Sequence, residues 1–265
     1  MLKVQFYQTV ADEKIKFAVV VSRYQNQWIF CKHKERSTFE LPGGHREEGE
    51  KIIDSARREL EEETGAAKYQ IEPVCVYSVT GKNRVNDTGE EMFGMLYMAE
   101  IEVLDEKLHS EIEKIAFFND LPDNLTYPDI QPFLLEKVIN VFKEKKIKEW
   151  FKSWFDPSWN QFENIFNENI YYSESWGPEY HGILEIKQWF TTWHQHSRLL
   201  KWNIGQYVHK NNISVVEWQF ACQDQQKNNE FEGLTLIEWD DDLKIRVLKE
   251  FASVLPKYDP LQVSH

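Results

Sequence analysis

Two domains of mixed α and β structure, an α/β domain followed by an α+β domain, are predicted from three observations. The chain has 265 residues, more than one domain usually holds, and a length over about 150 suggests two, each able to bury its own core. The first half alternates short β-rich runs with a single strongly helical segment. Eight of the ten tryptophans lie between Trp150 and Trp218, which implies a second, aromatic-rich core.

In the first half, Phe17-Ala18-Val19-Val20-Val21 is β-rich, and Gln27-Trp28-Ile29-Phe30-Cys31 follows a polar turn, so two neighbouring strands are expected. After Pro42-Gly43-Gly44, the segment from about Glu50 to Thr64 has strong helix formers, no internal Gly or Pro, and Gly65 as a stop signal. Further strands are expected at 74–79, 92–101 and 115–118, giving the order β-β-α-β-β-β. Between Pro128 and Lys146 apolar residues recur at helical spacing. The helix is expected to end in the charged run Lys143 to Lys146, a solvated terminus at a domain boundary. The expected domains are therefore 1–146 and 147–265. In the second, 147–170 reads as helices broken at Asp156-Pro157, 183–196 as a helix, and 203–252 as strands.

Bulk properties narrow the function classes. A formal charge of -13 opposes adhesion to nucleic-acid polymers or anionic membranes. A phosphate-bearing substrate then requires a metal or local basic groups. Cys31, Cys75 and Cys222 are widely spaced and form no C-x-x-C pair, so neither a disulfide framework nor a zinc knuckle is implied. No apolar run of about 18 residues and no signal-like start occurs. The expectation is a cytoplasmic protein in a reducing compartment.

The chemistry-bearing segment is 44–66. At about 100° per residue, Glu59, Glu62 and Glu63 fall within roughly a 100° arc, while Ile53, Ala56 and Leu60 occupy the adjacent face and suit packing on a sheet. Like charges at i, i+3 and i+4 destabilise a bare helix. Arg57 and Arg58, or hard divalent ions, are the available compensators. The spacing resembles the Nudix box, G-x5-E-x7-R-E-U-x-E-E-x-G-U, at every specified position: Gly44, Glu50, Arg58, Glu59, Leu60, Glu62, Glu63, Gly65 and Ala66. Seven fixed identities match by chance on the order of 10⁻⁶. The resemblance covers about residues 3–142, with Phe39-Glu40-Leu41-Pro42-Gly43-Gly44 as lead-in.

This resemblance implies an α/β/α sandwich with a mixed sheet. It also implies a loop-helix-loop presenting Glu59, Glu62 and Glu63, with the Gly44 carbonyl, to Mg²⁺ or Mn²⁺, and Glu111 is a further metal-ligand candidate. Such ions neutralise a diphosphate and activate an attacking water. Glu50 and Arg58 are expected to pair and hold the loop on the helix. The general base is open between Glu62 and Glu63 in the box and Glu90, Glu91, Glu111 or Glu113 outside it. The segment from Cys31 to Arg36 looks like that of MutT-like nucleoside triphosphate hydrolases, including those acting on oxidised guanine nucleotides. Arg36, Lys34, His33 and Phe39 are candidate substrate contacts. The competing readings are solubilising charges for Arg36 and Lys34 and core packing for Phe39.

Residues 147–255 resemble the SnoaL-like, nuclear-transport-factor-2-like superfamily through segments such as Tyr180-His181-Gly182, Val216-Glu217-Trp218-Gln219-Phe220 and Phe231-Glu232-Gly233-Leu234. That resemblance implies a cone-shaped α+β barrel with a curved antiparallel sheet and an internal pocket. Glu217, His181, Tyr172 and Glu250 are candidates for a polar pocket floor, with Val215, Glu217 and Gln219 either lining it or facing water.

The leading expectation is a Mg²⁺-dependent pyrophosphohydrolase converting a nucleoside triphosphate, 8-oxo-dGTP among the candidates, to monophosphate and pyrophosphate. A nucleotide sugar or another nucleoside diphosphate-X is the alternative substrate class. A nucleotide sensor controlling the second domain is the non-enzymatic alternative, opposed by the intact carboxylate set. A homodimer through either domain is compatible with all three.

Overall fold

Alternation in the run after Lys16 decides which face of the first sheet is covered. Ala18 and Val20 are fully buried, and they cluster with Ile29, Tyr97, Ala99 and Ile101 against Ala56 and Leu60 of one helix. The computed structural model describes residues 2–84, 86–105, 112–224, 227–259 and 261. The chain divides into two compact units, Met1–Val141 and Phe142–His265.

The first unit contains β1 (Lys3–Tyr7), β2 (Ile15–Tyr24), β3 (Gln27–His33), β4 (Gly43–His45), α1 (Ile52–Thr64), β5 (Ala66–Thr80), β6 (Met92–Leu104), β7 (Ile112–Phe118) and the start of α2 (Gln131–Ser153). Its seven-stranded sheet runs β1-β5-β6-β2-β3-β7, with β4 beside β2. The sheet is mixed because β2 and β6 pair in parallel while its other pairs are antiparallel. The polar turn between β2 and β3 is Gln25-Asn26, both at positive φ, a backbone that closes a tight hairpin. Gly65 ends α1 at φ 73°, its N–H bonded to the Glu61 carbonyl, where a left-handed cap suits glycine. β1, and β5 from Ala66 onward, were not expected. Both are rich in polar residues and take their strand character from antiparallel pairing with each other and with β6.

The second unit contains the remainder of α2, α3 (Phe162–Ile165), β8 (Phe166–Ser173), β9 (Glu179–His181), α4 (Ile183–His196), β10 (Ser197–Lys210), β11 (Ile213–Asp224), β12 (Lys227–Trp239) and β13 (Ile245–Val254). The strands run β10-β11-β12-β13-β8-β9. The helices pack on one face of this sheet around Trp150, Trp154, Phe166, Phe190 and Trp218, an α+β layering.

Three expectations are corrected here. The sheet is mixed and not purely antiparallel. After β9 the chain crosses through α4 to the far edge, and the meander that returns brings β13 alongside β8 in the same direction. The charged run from Lys143 to Lys146 does not end a helix: α2 continues to Ser153, because Ile147, Trp150 and Phe151 extend the buried stripe at helical spacing. Lys143 is itself buried, and its ammonium donates to the Asn211 carbonyl at 2.7 Å. Residues 166–170 form a strand, with Phe166, Ile170 and Tyr172 buried on alternating positions, and only Phe162–Ile165 of that stretch is helical.

Candidate active site

β4 brings Gly43 and Gly44 against Val19 and Ala18 of β2, and the loop that follows leads into α1, so the glycines face the side of the helix that carries the box glutamates. Arg58 organises this junction. Its Nε and Nη2 both reach Glu50 at 3.1 Å, Nη1 donates to Glu59 Oε1 at 2.7 Å, and Nη2 also donates to the His45 carbonyl. Glu50 further accepts from Ser55 Oγ and from the Glu47 N–H. The Arg58 and Ser55 hydrogen bonds hold the Glu50 carboxyl down to about 2.

Glu63 is buried. Its Oε2 accepts the Gly43 N–H at 3.0 Å and its Oε1 lies 3.5 Å from His33 Nε2. Glu59 lies directly against Gly44. Burial raises its carboxyl above the ordinary value; Arg58 opposes this, and the neighbouring Glu62 and Glu50 add to it. Glu62 is the most open of the three, about half exposed, with Arg58 Nη1 at 3.7 Å.

These residues fit a hard divalent ion by their chemistry. The donors are all oxygen, and Glu59 and Glu62 share the single Arg58 guanidinium with Glu50, so one charge compensates several. In the geometry seen, Glu59 is turned to Arg58 and Glu63 to Gly43, and among the described residues no three Asp, Glu, His or Cys side chains converge on a metal position. Glu111 lies outside the described residues.

The glutamates open on a cleft of about 490 Å³, a size that suits a nucleotide. Phe17 and Tyr77 pack edge to face at its wall, and Asn83, Asn86, Tyr127 and Gln131 add polar groups. Of the substrate candidates, His33 and Arg36 line this cleft and Phe39 does not. Phe39 packs edge to face on Phe118 at 5.2 Å and is bridged to Leu125, so its half-buried ring is engaged by a neighbouring strand and not by the cleft. Arg36 and His33 both hold Glu40: Arg36 Nη1 reaches its two oxygens at 2.6 and 2.7 Å, and His33 Nε2 lies 2.9 Å from Oε1. Among the base candidates outside the box, Glu91 accepts from Tyr7 and Ser78 and Glu113 from Lys32; neither these two nor Glu90 lines the cleft. Sequence reasoning missed Glu40, Tyr77 and Tyr127. Glu40 had a local signal, its place in the lead-in.

In the second unit a small cavity is lined by tryptophans together with Tyr172, Glu174 and Glu250. Tyr172 is buried and its hydroxyl donates to Glu250. Glu217 and His181 are corrected: neither lines this cavity. On β11, Val216 and Trp218 point inward, which turns Glu217 to solvent. His181 is exposed and pairs with Glu179. Among the described residues no helix is long and apolar enough to cross a membrane.

The NUDIX domain family matches residues 10–136, and the chain belongs to the Nudix hydrolase family. It is similar to a Bacillus subtilis (strain 168) protein named "Putative 8-oxo-dGTP diphosphatase YtkD", with 30% identity over 135 residues, 51% of this chain and 81% of that protein. Among solved structures, a mutant form of the Bacillus subtilis pyrophosphohydrolase BsRppH shares 24% identity over 53% of this chain and 90% of its own, with a TM-score of 0.44. A structure described as "Putative SnoaL-like polyketide cyclase" from Shewanella denitrificans OS-217 shares 10% identity over 42% of this chain and 90% of its own, with a TM-score of 0.37.

Proposed function

We propose that the first unit is a Mg²⁺- or Mn²⁺-dependent pyrophosphohydrolase that cleaves a nucleoside triphosphate, with oxidised purine nucleotides such as 8-oxo-dGTP the preferred class, to the monophosphate and pyrophosphate. The observation that carries this reading is the Arg58 junction at the mouth of a nucleotide-sized cleft, which holds Glu50 and Glu59 on either side of one guanidinium. The relative named for 8-oxo-dGTP hydrolysis supports the substrate class.

Glu59, Glu62 and Glu63, with the Gly44 carbonyl, would hold the ion, which supplies charge neutralisation of the phosphates when bound. The protein's own groups do the rest. Arg58 keeps the loop docked and Glu59 oriented; Phe17 and Tyr77 offer apolar wall to a base, and Asn83 and Asn86 offer hydrogen-bonding groups. Water oxygen attacks phosphorus, the bridging P–O bond breaks, pyrophosphate leaves, and Glu62, the most open carboxylate of the set, takes the water's proton.

Pyrophosphate release is measured with Mg²⁺ across dGTP, 8-oxo-dGTP, the other triphosphates and nucleotide sugars, in wild type and Glu62→Gln. Activity on triphosphates, highest on the oxidised purine and reduced by about 10² or more in an equally stable variant, is expected. Release from no nucleotide, or an unaffected variant, ends the reading; turnover of nucleotide sugars alone moves it to the other substrate class.

A further inference from the structure

The imidazole of His33 lies between two carboxylates that are largely withdrawn from water. Its Nε2 is 2.9 Å from Glu40 Oε1 and 3.5 Å from Glu63 Oε1, and the side chains of Glu40 and Glu63 are 7% and 10% exposed. Both oxygens are acceptors, so Nε2 is the nitrogen that carries the ring proton. At 2.9 Å it donates to Glu40, and at 3.5 Å its positive edge faces Glu63 without a formed hydrogen bond. Arg36 stands behind Glu40, with Nη1 at 2.6 and 2.7 Å from the two oxygens. A series of donors and acceptors thus runs from Arg36 through Glu40 and His33 to Glu63.

Local structure explains how these residues meet. Cys31 and His33 are two residues apart on β3 and share a face. From that face the Cys31 thiol donates to the Glu63 carbonyl at 3.3 Å, and His33 approaches the Glu63 side chain. A bridge brings Glu40 alongside: the Cys31 N–H donates to the Glu40 carbonyl at 2.8 Å, and the Glu40 N–H to the Cys31 carbonyl at 2.9 Å. The Gly43 N–H donates to Glu63 Oε2 at 3.0 Å. Glu63 is therefore held at its carbonyl and at one carboxylate oxygen and faced at the other, by residues that all precede the helix carrying it. Glu59 and Glu62 are held differently, through Arg58.

We propose that His33, oriented by Glu40 and Arg36, is a positioning residue that sets the Glu63 carboxylate for a divalent ion. This rests on the reading that Glu63 is among the groups that hold the ion. Satisfying Glu40 does not require the imidazole, because Arg36 already reaches both of its oxygens. What His33 adds is its place beside Glu63. A carboxylate that swings freely loses rotamer freedom when it takes an ion, and one held beforehand loses less. Groups that orient a metal ligand from behind govern affinity in this way without touching the metal. His33 lines the cleft, yet its nearest polar partner is Glu40, so its role is in the protein's own network and not in contact with the nucleotide.

Mn²⁺ binding to the full chain is measured without nucleotide, by loss of the free-ion electron paramagnetic resonance signal, beside thermal melts and steady-state kinetics at saturating ion. His33→Ala is expected to weaken Mn²⁺ binding about tenfold or more, while KM for the nucleotide stays within about twofold. His33→Gln keeps an N–H donor at similar reach and is expected to recover most of the affinity. Glu40→Gln is expected to weaken Mn²⁺ binding several-fold and to add nothing to His33→Ala, because it acts through the imidazole. Full Mn²⁺ affinity in His33→Ala, a raised KM at unchanged ion affinity, no recovery in His33→Gln, or losses that multiply in the double variant overturns the proposal and leaves the hydrolase reading standing. A wild-type chain that binds no Mn²⁺ and releases no pyrophosphate ends that reading and the proposal with it. If His33→Ala does not fold, as read by circular dichroism, Glu40→Gln decides: full Mn²⁺ affinity there overturns the proposal.

Discussion

Gly44 and Glu59 are in direct contact: a methyl group on Gly44 would sit 2.0 Å from Glu59 Oε1 and 2.4 Å from its Cδ. The obstruction is the end of a flexible side chain, so a residue larger than glycine displaces the carboxylate more than it strains the backbone. Gly44→Ala is expected to leave the melting temperature nearly unchanged and to lower kcat by about 10², the scale of a misplaced reacting group, with KM little altered. Steady-state kinetics beside a thermal melt checks this. A large loss of stability at normal kcat would show that the glycine serves the fold alone.

The Glu50 carboxyl, held down to about 2 by Arg58 and Ser55, gives the first unit a defined acid response. Its folded value lies below the ordinary 4.5, so the stability it contributes is present above the unfolded value and is lost as pH falls through the folded value. Glu50→Gln is expected to lower the melting temperature by about 4 °C or more near neutrality. The gap to wild type closes as pH drops from about 5 toward 2. Melts across that range test it; a gap independent of pH would mean the pair is held by shape and not by charge.

The box was legible because its chemistry is local. Glu50, Arg58, Glu59 and Glu63 lie within one loop and one helix, and helical periodicity alone places the carboxylates together. Phe39 read both as a base-stacking and as a packing residue: its partner Phe118 is remote in sequence, and an aromatic side chain carries no mark of whether it faces a cleft or a neighbouring strand. Tyr77 and Tyr127 reach the cleft from β5 and from just before α2, so only the tertiary fold brings them in. Glu217 was misplaced although a signal existed. Val216, Trp218 and Phe220 form the larger apolar set on β11, and an apolar set of that size turns inward. The continuation of α2 was hidden by its lysines. Long Lys stems pack along apolar surface while the ammonium finds an acceptor, as Lys143 does with the Asn211 carbonyl.

Arg36 and Glu40 separate a structural role from a substrate role. The Glu40 side chain is only 7% exposed, and Arg36 is its closest cation at 2.6 Å. Removing Arg36 leaves a buried carboxylate with His33 as its remaining partner, so Arg36→Ala is expected to cost about 2 kcal/mol of stability. Glu40→Gln in the same chain is expected to restore most of that loss, which chemical denaturation of the single and double variants measures as a coupling energy. Additive effects would place Arg36 with the substrate and not with Glu40.

Glu250 gives the second unit the opposite acid response from Glu50. Burial lifts its carboxyl to about 8 from an ordinary 4.5. Between these values the unfolded chain has released the proton that the folded chain keeps, so stability falls as pH rises from about 4.5 to about 8 and levels off above. Glu250→Gln keeps a hydrogen-bonding oxygen for Tyr172 and removes the titration. Its stability is therefore expected to match wild type near pH 5 and to exceed it at about pH 9, where wild type carries a buried charge. Denaturant melts at the two pH values test this, and equal stability of the two chains at the higher pH would show that the Glu250 charge is already compensated within the cavity.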